Sequence, residues 1–202
     1  MNTITTSKPV GQSFFYDIIH DMRLILSYEG RALTPKNIAW ALFACDAYVL
    51  LLTFRIRKLC KKYHIPFVNR FLRLFQTLFY AIELGIDITL DHGVYFVHTV
   101  GTVVGGDAVV GEGCVFFGNN TLGAARFQGS PQLARHVVVG AGVRIIGKIA
   151  VGEECFLGAN AVVVSDIPAR KVAVGIPARV IADNKDLGKP RSSRLDDKNR
   201  VG

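Results

Sequence analysis

"VVVGAGVRIIGKIAVGEECFLGANAVVV", residues 137–164, repeats itself every six residues. Val139, Ile145, Val151, Leu157 and Val163 stand six apart, and glycine follows at 140, 152 and 158. Four places on from the row lies a second set of small or apolar residues, including Val143, Ile149, Cys155, Ala161 and Ile167. A period of six is neither the 3.6 of a helix nor the 2 of a long strand. It is the grammar of a repeat architecture that turns at fixed short intervals. Each six-residue unit makes one flat face of short parallel strand, three faces close a triangular coil, and the aliphatic residue points inward. Small residues after it permit the tight corner.

Followed toward the N-terminus, the row reaches Leu133, breaks, and resumes at Leu122, Phe116, Val110 and Val104, with His98 six places before. Ala108, Cys114 and Val137 extend the small set. The register assigns Cys114 and Cys155 to packing. It also accounts for the glycines of "GAGVRIIG" (140–147), which lack the strand–helix unit of a dinucleotide-binding loop.

Before residue 85 the pattern is helical. Phe14/Phe15, Ile18/Ile19, Met22 and Ile25/Leu26 recur at three-to-four spacing, with Gly30 as a stop. Thr34 as N-cap and Pro35 at the first helical position open a long helix running to about His64. A third, after Pro66, ends near Gly85. The domain reading is therefore 1–12 flexible, 13–84 helical, 85–182 β-helix and 183–202 a polar flexible tail.

Half of the 202 residues are hydrophobic and the formal charge is +8, which favours anionic partners. Four cysteines without a CxxC pattern point to a reducing compartment and no zinc. With no signal-peptide core at the start, the expected location is cytoplasmic. The stretch 38–54 is apolar except for Asp46 and Thr53, and residues 55–73 carry seven Lys/Arg without an acid. An acid in mid-span is costly in lipid, so 38–54 is expected to be buried in a subunit interface. Peripheral contact with the inner face of the cell membrane through the basic stretch is a further expectation. No nucleic-acid recognition motif accompanies it, and nucleic acid is not expected as a partner.

Two features violate the repeat. Leu122 and Leu133 are 11 apart, so five extra residues loop out around "GAARFQGSPQ" (123–132). His98 is an imidazole on a row of aliphatics. Excursions from a rigid scaffold are where binding and catalytic residues concentrate, and loop and histidine are slightly more than one coil apart.

The stretch 145–181, ending in "GIPAR", resembles the closing coils of hexapeptide-repeat acyltransferases, whose domain is a left-handed parallel β-helix. "GIDI" (85–88), "HTVGTVVG" (98–105) and "NNTLG" (119–123) bring it closer to the serine O-acetyltransferase-like branch, which includes acetyltransferases of capsule and exopolysaccharide synthesis. The resemblance implies a mainly β fold with an N-terminal helical region and acetyl transfer from acetyl-CoA to a hydroxyl. It implies no metal and a homotrimer or a dimer of trimers.

It makes His98 the general base, a role that supplies about 10²–10⁴ in rate. Asp87, by motif match, orients His98, with Asp91 as the alternative because the connection is about four residues shorter than in typical serine acetyltransferases. Gly123, Ala124, Ala141 and Ala159 would line the pantetheine arm, and Lys171 and Arg179 would meet the phosphates of CoA.

Two departures bear on the acceptor. Val97 stands where serine enzymes carry an aspartate, and Gly129-Ser130-Pro131 where they carry Arg-His-Pro. Without those charges a free amino acid would lose its ion pairs, so a sugar of a cell-surface polysaccharide is the expected acceptor. L-serine is the alternative, and a non-catalytic β-helix scaffold the second.

Overall fold

The computed structural model describes residues 13–125 and 129–185. Four helices come first: α1 (Phe14–Tyr28), α2 (Pro35–Ala44), α3 (Asp46–Lys62) and α4 (Pro66–Tyr80). Thr34 caps α2 by accepting from the Asn37 amide, and Pro35 opens it. The single long helix expected over 34–64 is two. It breaks at Cys45, whose extended backbone turns the chain through 78°. Within residues 38–54, Leu50, Leu51 and Phe54 are buried with Met22, Ile25 and Leu26 of α1, whereas Leu42 and Phe43 at the end of α2 are exposed. No single helix among the described residues is long and apolar enough to cross a membrane. α4 ends at Tyr80, with Ala81 in the left-handed conformation (φ +48°).

A three-sided parallel β-helix follows, its strands numbered in chain order. The first face holds β1 (Glu83–Leu84), β4 (Val103–Val104), β7 (Thr121–Gly123), β10 (Arg144–Ile146) and β13 (Val162–Val163). The second holds β2 (Thr89–Leu90), β5 (Val109–Val110), β8 (Gln132–Leu133) and β11 (Ala150–Val151). The third holds β3 (Tyr95–Phe96), β6 (Val115–Phe116), β9 (Val138–Val139), β12 (Phe156–Leu157) and β14 (Lys171–Val174), closed by the antiparallel β15 (Arg179–Asp183). Every pairing but this last is parallel between successive coils, in the stacking that the period of six requires. The first strand precedes the expected start at 85 by two residues.

The inward row is Leu84, Leu90, Phe96, Val104, Val110, Phe116, Leu122, Leu133, Val139, Ile145, Val151, Leu157 and Val163, none more than 2% exposed. Two steps in it are irregular. Leu122 to Leu133 is the expected excursion of the loop. The second lies between Phe96 and Val104, eight apart, and it corrects the placement of His98. Phe96, not His98, holds the row; it pairs with Phe116, and their rings stack at 5.1 Å. His98 falls in the two-residue extension beyond β3 and is exposed.

The first coil has no coil beneath it, so its backbone needs other partners. α3 supplies them. Arg55 donates to the carbonyls of Leu90 (2.7 Å) and Asp91 (2.9 Å), Arg57 to Leu84 (3.0 Å), and Lys58 to Ile86 (3.2 Å) and Ile88 (3.1 Å). Part of the basic run read as a binding surface therefore caps the sheet edge.

Candidate active site

The three corners of the prism sort the expected site residues. His98 lies where the third face turns into the first, in a turn closed by Thr102 N–H donating to Thr99 O (3.1 Å). The next coil sits directly on it: Asn119 N–H donates to Val100 O (2.9 Å), and an added Cβ at Gly118 would lie 2.9 Å from His98 Cβ. Gly142 N–H donates to Gly118 O (3.0 Å) and Asn160 N–H to Ala141 O (2.8 Å). Ala141 and Ala159 thus continue the corner above His98, both exposed. This edge is a strip of small residues with an imidazole at its base. Such a strip fits the close approach of an extended thioester arm.

Behind it the corner is rigid. Buried Asn120 accepts from Gly118 N–H (3.0 Å) and donates to Gly140 O (2.7 Å), while its own amide donates to buried Thr102 Oγ1 (3.4 Å). Arg144 fastens Asn119 from outside, donating to its carbonyl and to its Oδ1 (3.1 Å).

Asp87, Gly123 and Ala124 lie at another corner, between the first and second faces. The Asp87 carboxylate is exposed and bonded to Lys61, whose hydrogen bond and charge hold it below the usual carboxylate range. Asp91 is buried and bonds His92: Oδ1 accepts from the His92 amide (2.8 Å) and lies 3.0 Å from its Nδ1. Within the chain, then, both aspartates engage partners other than His98. Lys171 is ion-paired with Asp183, and Arg179 is exposed on β15. Of the loop, 126–128 lie outside the described residues. Ser130 is buried, its Oγ accepting from the Asp107 amide (3.1 Å). Burial pushes the Cys114 thiol up to about 12, which suits packing rather than reaction.

Sequence reasoning missed a second polar cluster, where the second face turns into the third and α1 lies against it. His92 Nε2 stands 3.0 Å from Asp17 Oδ1, the rings of His20 and His92 meet edge to face at 4.8 Å, and Glu112 is 3.9 Å from His20. Asp21 is buried beside them, accepting from Arg55 Nε (2.9 Å) and from Gly93 N–H (2.9 Å). His20, His92 and Glu112 are close enough together to share a cation. Both ring nitrogens of His92, however, already face carboxylates, so the cluster reads as an ion-pair network joining α1 to the first coil. Burial lowers the His92 pKa, but the bonds to Asp91 and Asp17 and the charge of Asp21 outweigh it, and the net direction is up. The available signal was Asp17 and Asp21, an acid pair at i, i+4 beside the apolar stripe of α1.

A coil-stacked prism with a histidine at a corner break defines the class: the chain is a hexapeptide-repeat O-acyltransferase. No protein-family model matches it. It is 32% identical over 170 residues to serine acetyltransferase of Synechococcus elongatus, covering 83% of this chain and 68% of that one. Among solved structures, soybean serine acetyltransferase complexed with serine superposes with a TM-score of 0.72 at 26% identity, covering 84% of this chain and 70% of that one. Serine acetyltransferase of Brucella abortus in complex with coenzyme A gives 0.75 at 21% identity, over 88% and 71%. The chain belongs to the serine acetyltransferase family. This overturns the expectation of a polysaccharide sugar as acceptor. Val97 and Ser130 leave two positions without charge, and charges for an amino acid can be supplied elsewhere.

Proposed function

We propose that the chain transfers the acetyl group of acetyl-CoA to the hydroxyl of L-serine, with His98 as general base. One ring nitrogen of His98 takes the hydroxyl proton as the serine oxygen attacks the thioester carbonyl. The tetrahedral intermediate collapses with loss of the CoA thiolate, which leaves as the thiol after taking up the proton. The observation that carries the reading is His98 itself, an exposed imidazole at the one corner where the row steps by eight, in a chain of this family. The small-residue strip above it is where the thioester arm would run. Free-thiol release from acetyl-CoA with L-serine tests the reading, using wild type and His98→Asn. Turnover on L-serine that falls by about 10²–10⁴ in the variant supports it. Turnover that survives the substitution removes His98 from the chemistry, CoA binding without turnover on L-serine refutes serine as the acceptor, and no CoA binding at all returns the chain to a scaffold.

A further inference from the structure

The fourth helix is built inside out. Of its 15 residues only Gln76 is buried, and it is polar. Gln76 accepts from Arg57 (2.5 Å) and donates to Thr53 Oγ1 (2.9 Å) and to Leu50 O (3.3 Å), while Asn69 accepts from Arg57 Nε (3.2 Å). The amide side therefore faces the protein. On the opposite side Phe67, Phe71, Leu74 and Leu78 follow one another at i, i+4, i+7 and i+11, the spacing of a single helix face. Phe67 is 85% exposed, Phe71 68% and Leu78 76%, with Val68 and Phe79 exposed beside them. A contiguous apolar stripe of this kind on a folded surface marks an interaction site.

We propose that this face docks on an anionic lipid surface, with α4 lying in the plane of the interface. The charges choose the partner. From Ala47 to Ile82 there is no Asp or Glu, and seven Lys/Arg. Four of those are engaged by the first coil and its partners: Arg55, Arg57, Lys58 and Lys61. Lys62, Arg70 and Arg73 have no carboxylate partner among the described residues, and the last two sit on α4 itself, Arg70 beside the stripe and Arg73 between it and the Gln76 side, both exposed. A second copy packed through a twofold axis would bring this helix against itself, arginines included, with no acid on it to oppose them. Anionic headgroups supply the missing charge. A helix of 15 residues is about 22 Å long, too short to span a bilayer and suited to lie on one. Aromatic residues on the face turned to the lipid and cations at its edge are the composition of interfacial helices.

The proposal is independent of the acetyl acceptor, and its readout is sedimentation of the full chain with extruded vesicles. Phosphatidylcholine vesicles are compared with vesicles containing one quarter phosphatidylglycerol, at 0.1 and 0.5 M salt. The wild type is expected to bind the anionic vesicles at least tenfold better than the neutral ones, and to lose most of that preference at high salt. Arg70→Gln/Arg73→Gln should weaken binding about thirtyfold. Phe67→Ser/Phe71→Ser, which changes only exposed side chains, should weaken it about 100-fold or more with unchanged melting temperature. Equal binding to both vesicle types, or none to either, overturns the proposal. So does a solution mass, measured by light scattering, that is halved by the Phe67→Ser/Phe71→Ser pair without any vesicle binding by the wild type; that result would make the face an interface between copies.

Discussion

Replacing Gly118 by Ala should lower the turnover number about tenfold without touching an atom of the proposed reaction. The added Cβ would lie 2.9 Å from His98 Cβ, 3.0 Å from its carbonyl oxygen and 3.4 Å from its carbonyl carbon. Ordinary contact begins at 3.4 Å, so the His98 turn must retreat by about half an ångström. Asn120 and Thr102 hold the corner behind it, which leaves the outward direction. A 1 Å misplacement of a reacting group costs about 10²-fold, and half of that displacement about tenfold. The left-handed backbone at Gly118 (φ +98°) adds about 1–2 kcal/mol of strain for any residue with a Cβ. That strain lowers stability but does not by itself slow chemistry, and Gly30→Ala separates the two. Gly30 is also left-handed (φ +68°), with nothing within 4 Å of an added Cβ. Steady-state thiol release, with CoA binding measured directly, should show Gly118→Ala reduced in kcat at nearly unchanged KM for acetyl-CoA. Gly30→Ala should show only a lower melting temperature. If Gly118→Ala keeps kcat within twofold of wild type, His98 is not held where the proton moves, and the corner assignment fails.

Two further predictions concern the junction of helices and coil. Arg55→Met should cost about 3–5 kcal/mol in urea unfolding, because it leaves Asp21 charged, buried and unpaired. Adding Asp21→Leu should recover more than half of that loss, and failure to do so would mean that the carbonyl bonds, not the ion pair, dominate. His92 has its folded-state pKa raised above the unfolded value near 6.5. Its contribution is therefore complete below that pH and is lost as the pH rises through the folded value. The groups facing it are Asp17, Asp21, Asp91, Glu112, His20, Tyr16 and Arg55. Melting temperature should fall from pH 6.5 upward, and His92→Gln should flatten that fall; a variant with an unchanged slope would refute the assignment.

The β-helix was legible because a solenoid makes inwardness a function of residue number. Thirteen row positions are shielded for one reason, and a fixed period reveals them without knowledge of what they touch. The same simplicity misplaced His98. Six steps back from Val104 land on it, whereas the chain spends two extra residues there and the row continues from Phe96. Leu84, Leu90 and Phe96 are themselves six apart, so an independent count from the N-terminal side would have found the second break. The split at Cys45 was hidden because both helices are apolar and no Pro or Gly divides them. Basic residues 55–61 misled for a different reason. A run of cations without acids looks solvated, and only the fold reveals open carbonyls beneath it. The acceptor was misjudged because charge missing at two positions was read as charge missing from the site.

The helical region belongs to the site's physics, not only to its packaging. Each inner coil is held between two neighbours, and its corners are fixed by hydrogen bonds from both. The His98 turn is in the first coil, with a neighbour on one side alone. What replaces the missing coil is α3, whose Arg55, Arg57 and Lys58 take five carbonyls of that coil, and α1, whose Asp21 accepts from Gly93 N–H. Gly101 N–H, within the His98 turn, donates to Ala81 O at the exit of α4 (2.9 Å). A general base must be positioned to within about half an ångström. An unsupported terminal coil would fray before it met that tolerance. The cations that resembled a binding surface hold the coil from which the base projects, and a chain begun at residue 82 would present His98 on its least ordered turn.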